Sequence, residues 1–254
     1  MRAFRDLAAE PDPAGARLLL DGIHQVREAR EAGAEMEVVA VAGEHLLSHT
    51  EEAELARAMD ASGAQVFSVT GQVLAAISPV RTPSGIVAIA RRTPTNVASI
   101  CKRENGLVLV AVDVQDPGNL GGLIRAAEAG GATGALVCGV SANPFSWKAL
   151  RGSMGSALRL PVAHGLDVPD VVACAKRFGA RTVAAVPRDG RAPEAVDWSG
   201  RVALFVGGEG PGLADELVAQ CDERVTIPMT PPVESLNVAV AGAILLYAAR
   251  RQRT

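Results

Sequence analysis

Two stretches decide the fold: residues 202–213, VALFVGGEGPGL, and residues 224–253, RVTIPMTPPVESLNVAVAGAILLYAARRQR. The first is an apolar strand running into a glycine-rich turn that carries one acid, Glu209. The second is a strand ending at Pro228, a Ser-Leu-Asn turn, and a nearly all-apolar helix. Two strand-end loops and a helix start thus lie close in sequence. In an open α/β sheet ligands bind outside the carboxyl ends of the strands, so this stretch is the first candidate for a site.

Upstream, LVLVAVDV (107–114) reads as a strand buried on both faces, as central parallel strands are. Residues 115–118 break it, and Asn119 reads as the N-cap of the helix LGGLIRAAEAGG. A strand at 135–138, a helix around 147–154, a loop at Pro161, a helix at 168–178 and a strand at 182–186 lead back to the opening stretch. Towards the amino terminus a strand, an Asp21-Gly22 turn and a helix stopped by Gly33 are followed by a buried strand at 37–42. Thr50 caps a helix with Glu51 and Glu52 in its first turn, where acids favour the dipole. A strand at 65–70, a short helix at 71–78 and a strand at 85–90 complete the alternation. Residues 91–106, RRTPTNVASICKRENG, lose apolar periodicity and read as the connection. The expected organisation is a small α/β domain over 1–95, a linker over 96–106 and a larger α/β domain over 107–254.

Aromatic residues are only 3% of the chain, so a 48% hydrophobic composition has to build its core from Val, Ala, Leu and Ile, which suits α/β packing. Cys101, Cys138, Cys174 and Cys221 form no CxxC pair, so neither a disulfide framework nor a zinc site is encoded and a reducing compartment is expected. Residues 1–13 lack the apolar stretch of a signal peptide, and the longest apolar run, 238–249, is too short to cross a bilayer. A cytoplasmic protein with no membrane partner is expected. The net charge of -3 is not that of a generic nucleic-acid binder. Residues 1–95 hold nine basic and thirteen acidic residues, net -4, leaving sixteen and fifteen, net +1, for the rest. An anionic partner must therefore be met by local arginine clusters such as Arg91-Arg92, Lys102-Arg103 or Arg250-Arg251-Arg253, each of which also reads as solvated surface.

Several devices are absent. No GxGxxG follows a first strand, no GxxxxGK[ST] occurs, and GGEGPG at 207–212 has its glycines out of frame with Pro211 interrupting the turn. His45 and His49 lack a third metal ligand and read as surface histidines, and no Ser sits in a GxSxG elbow. What remains is a polar set at strand ends: Asn119, Arg125, Glu209, Ser235 and Asn237. Arg125, among small and apolar residues, needs an anionic partner or a ligand, and Glu209 is a natural one. That pair is either an internal salt bridge or part of a site. Asn119, Ser235 and Asn237, taken singly, read as caps.

Three blocks, DPGNLGGLIRAAEAGGA (116–132), LFVGGEGPGL (204–213) and IPMTPPVESLNVAVAGAILLYAARRQR (227–253), resemble in order and spacing the signature motifs of SpoU-type (TrmH-like) RNA ribose 2'-O-methyltransferases of the SPOUT superfamily. RGSMGSALRLPV (151–162) is similar to the segment between the first two motifs, and LLLDGIHQVREA with VLAAISPVRTPSGIVAI to the small RNA-binding domain that often precedes the catalytic one. Gly208 stands where the family often has Asn, Ser, Pro or Ala. The resemblance implies a parallel-sheet methyltransferase domain tied in a deep trefoil knot, a topology general rules would exclude. It implies S-adenosylmethionine (SAM) as methyl donor, held by Gly207, Ile227, Met229 and Leu236, with no metal. Gly207, Gly210 and Gly212 would let backbone approach the cofactor closely, and the apolar final helix would pair two copies into a homodimer. The catalytic set would be Arg125 positioning the 2'-hydroxyl and stabilising the developing alkoxide, Asn119 and Glu209 orienting it, and Ser235 and Asn237 ordering the loop and reaching the ribose. The substrate implied is structured RNA, ribosomal before transfer RNA. Two other readings stand beside it: a knot protein that holds RNA or SAM without catalysis, and an enzyme acting on a small anionic substrate.

Overall fold

A computed structural model describes residues 1–47, 51–210 and 212–253. The expected Thr50 cap, His49 and the Pro211 interruption lie outside the described residues. The first sheet holds β1 (Arg17–Asp21), β2 (Glu35–Ala42), β3 (Gln65–Val69) and β4 (Ile86–Arg91) in the order β1-β4-β2-β3. β4 runs antiparallel to β1 and β2, and β2 parallel to β3. The second holds β5 (Leu107–Val112), β6 (Gly134–Cys138), β7 (Val162–Leu166), β8 (Arg181–Ala185), β9 (Val202–Gly207) and β10 (Glu223–Val225) in the order β10-β8-β9-β5-β6-β7. Every neighbouring pair in it is parallel.

The unbroken apolar runs of β5 and β6 are buried at every residue, because helices cover both faces. Leu107, Leu109 and Ala111 join one core with Leu120, Leu123 and Ala127 of the Pro117–Ala129 helix and Leu245, Leu246 and Ala249 of the Val238–Arg253 helix. The alternate residues Val108, Val110 and Val112 join a second core with Val171, Val172 and Ala175 of the Val168–Arg177 helix and Leu217 and Val218 of the Asp215–Gln220 helix. The chain leaves β5 towards β6 and β7, then returns to build β8, β9 and β10 on the other side. The turning point lies between β5 and β9, where such sheets form their crevice. The Pro117–Ala129 and Val238–Arg253 helices touch closely: a Cβ at Gly242 would collide with Leu123, and one at Gly130 would stand 2.9 Å from Leu246 Cβ. This contact sets the starts of the two helices side by side.

The structure departs from expectation at several places. The N-cap of the Pro117–Ala129 helix is Asp116, whose Oδ1 accepts from the Asn119 amide at 2.7 Å, so Asn119 lies inside the first turn. The region after Pro161 is not all loop but the edge strand β7, whose sequence VAHGL interrupts its apolar pattern with His164 and Gly165. β10 stops at Val225 rather than Pro228, because the next backbone amide, that of Thr226, donates to Arg191 O at 2.9 Å instead of continuing the ladder. The expected linker contains a short helix, Val97–Cys101, with Ile100 and Cys101 buried in the second core. The amphipathic helix Arg2–Ala9, not expected from the sequence, packs Phe4 into a third core with Ala3, Leu7 and Ala8 beside it. His45 is half-buried against Gly85, with Nδ1 3.6 Å from Glu52 Oε2, rather than free on the surface. No helix among the described residues is long and apolar enough to cross a membrane.

Candidate active site at the carboxyl ends of the second sheet

β9 ends at Gly207, and the chain folds back on itself at once. A Cβ at Gly207 would land on the backbone of Gly212 and Leu213, and one at Gly208 would collide with the carbonyl of Asp113, just past β5. Gly210 and Gly212 take left-handed φ values of 105° and 74°. The family resemblance assigns these glycines to the approach of a cofactor; at Gly207 the geometry assigns the requirement to the loop's own closure. The tight fold puts the Glu209 side chain at the loop tip.

Facing it is the start of the Val238–Arg253 helix. Asn237 caps that helix, its Oδ1 accepting from the amides of Ala239 at 2.9 Å and Val240 at 3.3 Å. Its Nδ2 donates to Asn119 Oδ1 at 2.9 Å, and Asn119 Nδ2 donates to Glu209 Oε1 at 2.5 Å. A carboxylate, two amides and a helix start therefore form one relay across three chain segments. Each link orients the next, since an amide that donates to the acid must present its oxygen to the second amide.

The relay borders a pocket of about 380 Å³ at the carboxyl ends of β8, β9 and β10. Gly207, Ile227, Met229 and Leu236, expected around the cofactor, all line it, as do Glu209, Ser235 and Asn237. Asn119 reaches it through its hydrogen bonds. Arg125 does not: it is exposed, outside the lining, and without a hydrogen bond or ion pair among the described residues. The expected Arg125–Glu209 pair is replaced by Asn119–Glu209. The cause is the misplaced cap: six residues along one helix at about 100° each turn the Arg125 side chain about 240° away from Asn119. Ser235 is likewise exposed.

Sequence reasoning missed Asp116 and Asp113. The signal for Asp116 was present, an Asp followed by Pro at the first helical position. Asp113 has a φ of 56°, and its Oδ1 accepts from the Val140 amide at 2.8 Å, pinning the end of β5 against which Gly208 packs; nothing in one sequence marks that role. Burial pushes the thiols of Cys101 and Cys138 up to about 12 and that of Cys221 to about 11, so none of these three is poised as a nucleophile.

Beside the pocket, Val240, Ile244 and Tyr247 stand 48%, 40% and 48% exposed along one face of the final helix, and Val233 and Leu236 are exposed in the preceding segment. Among the described residues these side chains form an uncovered apolar stripe.

Residues 106–247 match the SpoU rRNA Methylase family, and residues 14–88 match the MRM3-like substrate binding domain. The 23S rRNA (guanosine(2553)-2'-O)-methyltransferase RlmP of Bacillus subtilis is 31% identical over 229 residues, 90% of this chain and 86% of the relative. An AdoMet-bound rRNA methyltransferase from Sinorhizobium meliloti superposes with a TM-score of 0.88 at 27% identity, covering 100% of this chain and 94% of that one. The SpoU methyltransferase AviRb from Streptomyces viridochromogenes, in complex with the cofactor AdoMet, gives 0.86 at 26% identity over 100% and 98% of the two chains. The parallel sheet, the pocket at its carboxyl ends and the match across residues 106–247 lead to one conclusion: this chain belongs to the SpoU rRNA methylase family and is an RNA methyltransferase.

Proposed function

We propose that the protein transfers a methyl group from SAM to the 2'-hydroxyl of a ribose in ribosomal RNA. The observation that carries this reading is the pocket in which Gly207, Ile227, Met229 and Leu236 meet Glu209, Ser235 and Asn237. Its chemistry suits SAM. Ile227, Met229 and Leu236 offer apolar walls for an adenine, a polar edge faces them, and about 380 Å³ falls within the usual range for small-molecule sites. Bound there, SAM supplies an electrophilic methyl group.

The protein's own residues do the rest. A 2'-hydroxyl attacks well only as its proton leaves, and a guanidinium, which stays charged, does not accept that proton. Arg125 therefore positions the hydroxyl and stabilises the alkoxide as it develops. Glu209 and Asn119 hold the geometry through the relay, and Ser235 and Asn237 order the 230–237 segment and contact the ribose.

Arg125 lies outside the pocket of its own chain, so we assign it to the pocket of a second copy. The homodimer would form through the stripe of Val240, Ile244 and Tyr247, on the helix packed beside the one that carries Arg125. The segments around 185–187, 206–212 and 225–245 would cross as the deep trefoil knot, within a methyltransferase domain over 107–254. The 96–106 linker would join it to the RNA-binding domain over 1–95, a reading that the substrate-binding match over 14–88 supports. The likeness to RlmP, named for 2'-O-methylation of 23S rRNA, favours ribosomal over transfer RNA and with it a cytoplasmic setting. Labelled SAM offered with unmodified transcripts of ribosomal and transfer RNAs tests the substrate. Label is expected in ribosomal RNA, and label confined to transfer RNA would overturn the preference.

A further inference from the structure

A second cavity, of about 470 Å³, opens between the two sheets and shares no lining residue with the pocket. Its walls are the turn at 32–34 that ends the first sheet's Ile23–Glu31 helix, the connecting chain 92–103, and the segment 158–161. Arg92, Arg103 and Arg159 line it together with the hydroxyls of Thr93, Ser99 and Thr133, and no acid does. In a chain of net charge -3 this is a local reversal of sign.

The three guanidinium groups are differently engaged. Arg159 is neutralised, pairing with Glu128 at 2.8 Å and with Glu28. Arg92 has no acid partner among the described residues. It donates to Gly15 O at 3.0 Å and Thr95 Oγ1 at 3.2 Å, and its guanidinium carbon stands 3.9 Å from the ring centre of Phe145. Burial pushes its pKa down to about 10, the mark of a cation held from water without a compensating carboxylate. Arg103 is exposed, its side chain without a hydrogen bond or ion pair among the described residues. Elsewhere Arg91 is engaged by Glu37, and Arg250 and Arg253 by backbone carbonyls.

Two guanidinium groups without acid partners among the described residues, one pre-oriented by stacking, and an exposed Thr93 line one groove, a donor set that suits the oxygens of a phosphate. We propose that this groove binds a backbone phosphate of the RNA substrate, gripping the RNA between the two sheets at a distance from the methyl-transfer pocket. The inference rests on the RNA-methylation reading of that pocket. A phosphate contact fixes register without reading sequence. It also gives the net-acidic amino-terminal part a route to RNA, because the cations are supplied by the chain that leaves its last strand.

The test is RNA binding over a range of salt, with an unmodified 23S ribosomal RNA transcript and an unrelated RNA of equal length, for wild type, Arg103→Ala and Thr93→Glu. Both positions are exposed, so the variants are expected to keep the wild-type Tm and SAM affinity. Each should bind both RNAs about three- to tenfold more weakly, with a salt slope lower by about 0.7–0.9 per lost contact. Unchanged affinity and slope in both variants, with methyl transfer intact in the wild type, would overturn the groove and leave the methyltransferase reading standing. A wild type that neither binds nor methylates RNA would remove both. Inorganic phosphate, titrated by thermal shift, separates the two sources of the anion. Stabilisation lost in the variants while RNA binding stays unchanged would assign the groove to free phosphate and contradict the RNA assignment.

Discussion

At the amino ends of the second sheet, Arg181 donates to Asp197 Oδ2 and Ser199 O at 2.9 Å each, and both the amide and the hydroxyl of Thr182 donate to Asp222 Oδ2, at 2.8 and 2.7 Å. Arg253 reaches the carbonyls of Asn105 at 2.6 Å and Gly200 at 2.5 Å, tying the last helix to the starts of β5 and β9. At the carboxyl ends of the same strands, Glu209, Asn119 and Asn237 share two side-chain bonds, Ser235 is exposed, and a pocket opens. Similar residue types serve opposite purposes. One end ties strands and the last helix together, while the other links its polar groups beside an open pocket. In a parallel sheet the carboxyl ends face the crevice, so the contrast follows from topology rather than from composition.

The contrast can be broken or sharpened from either end, beginning with the largest effect. Trp198, fully buried beside the amino end of β9, donates from Nε1 to Pro193 O at 2.8 Å. Trp198→Ala should cost about 3–5 kcal/mol in urea unfolding, while the folded fraction retains wild-type SAM affinity; a selective loss of SAM binding would erase the division. Next, Arg125→Ala should lower methyl transfer about 100- to 1,000-fold with an unchanged Tm. Arg125→Lys should fail as well, because lysine lacks the planar fork. Mixed dimers of Arg125→Ala and Glu209→Ala subunits should recover activity that neither parent has, which would locate Arg125 in the partner's pocket. Asn119→Ala, which cuts both links of the relay, should reduce turnover about 10- to 100-fold at little cost in stability. The smallest effect is a pH dependence at the amino end. Hydrogen bonds to Asp222, the Thr182 amide first among them, hold its carboxyl below the usual carboxylate range. A lowered folded pKa gives stability that is present above the unfolded value of about 3.9 and lost as pH falls through the folded one. Asp222→Asn should therefore flatten the acid side of the stability profile below about pH 4, and an unaltered profile would remove Asp222 from the amino-end network.

Where burial is two-sided the fold was legible. LVLVAV can only be a central strand, and its alternate residues do reach two separate cores. Of the edge strands, β1, β3 and β10 were read from the sequence, β10 with its end three residues too late; β7 was not, because VAHGL is held by its neighbour β6 rather than by its own pattern. In the site, seven of the nine expected residues line the pocket: Glu209, Ser235 and Asn237 stood out as polar residues near strand ends, whereas Gly207, Ile227, Met229 and Leu236 were implied by the family resemblance alone. The relay was only half legible. Reading Asn119 rather than Asp116 as the cap rotated the helix start by three residues, and that made a bond between Arg125 and Glu209 look possible within one chain. The arginines of the groove were visible as clusters but not as free or engaged, which depends on whether Glu37, Glu128 or a backbone carbonyl folds against them.

The most direct test of the pocket as a ribose 2'-O-methyl-transfer site is to map the label. The purified protein is given methyl-labelled SAM and an unmodified 23S ribosomal RNA transcript, and the RNA is digested to nucleosides. The expected result is label on a single 2'-O-methylated nucleoside, lowered about 100- to 1,000-fold with Arg125→Ala although that variant still binds SAM. Label on a base, or equal label with Arg125→Ala, would contradict the assignment.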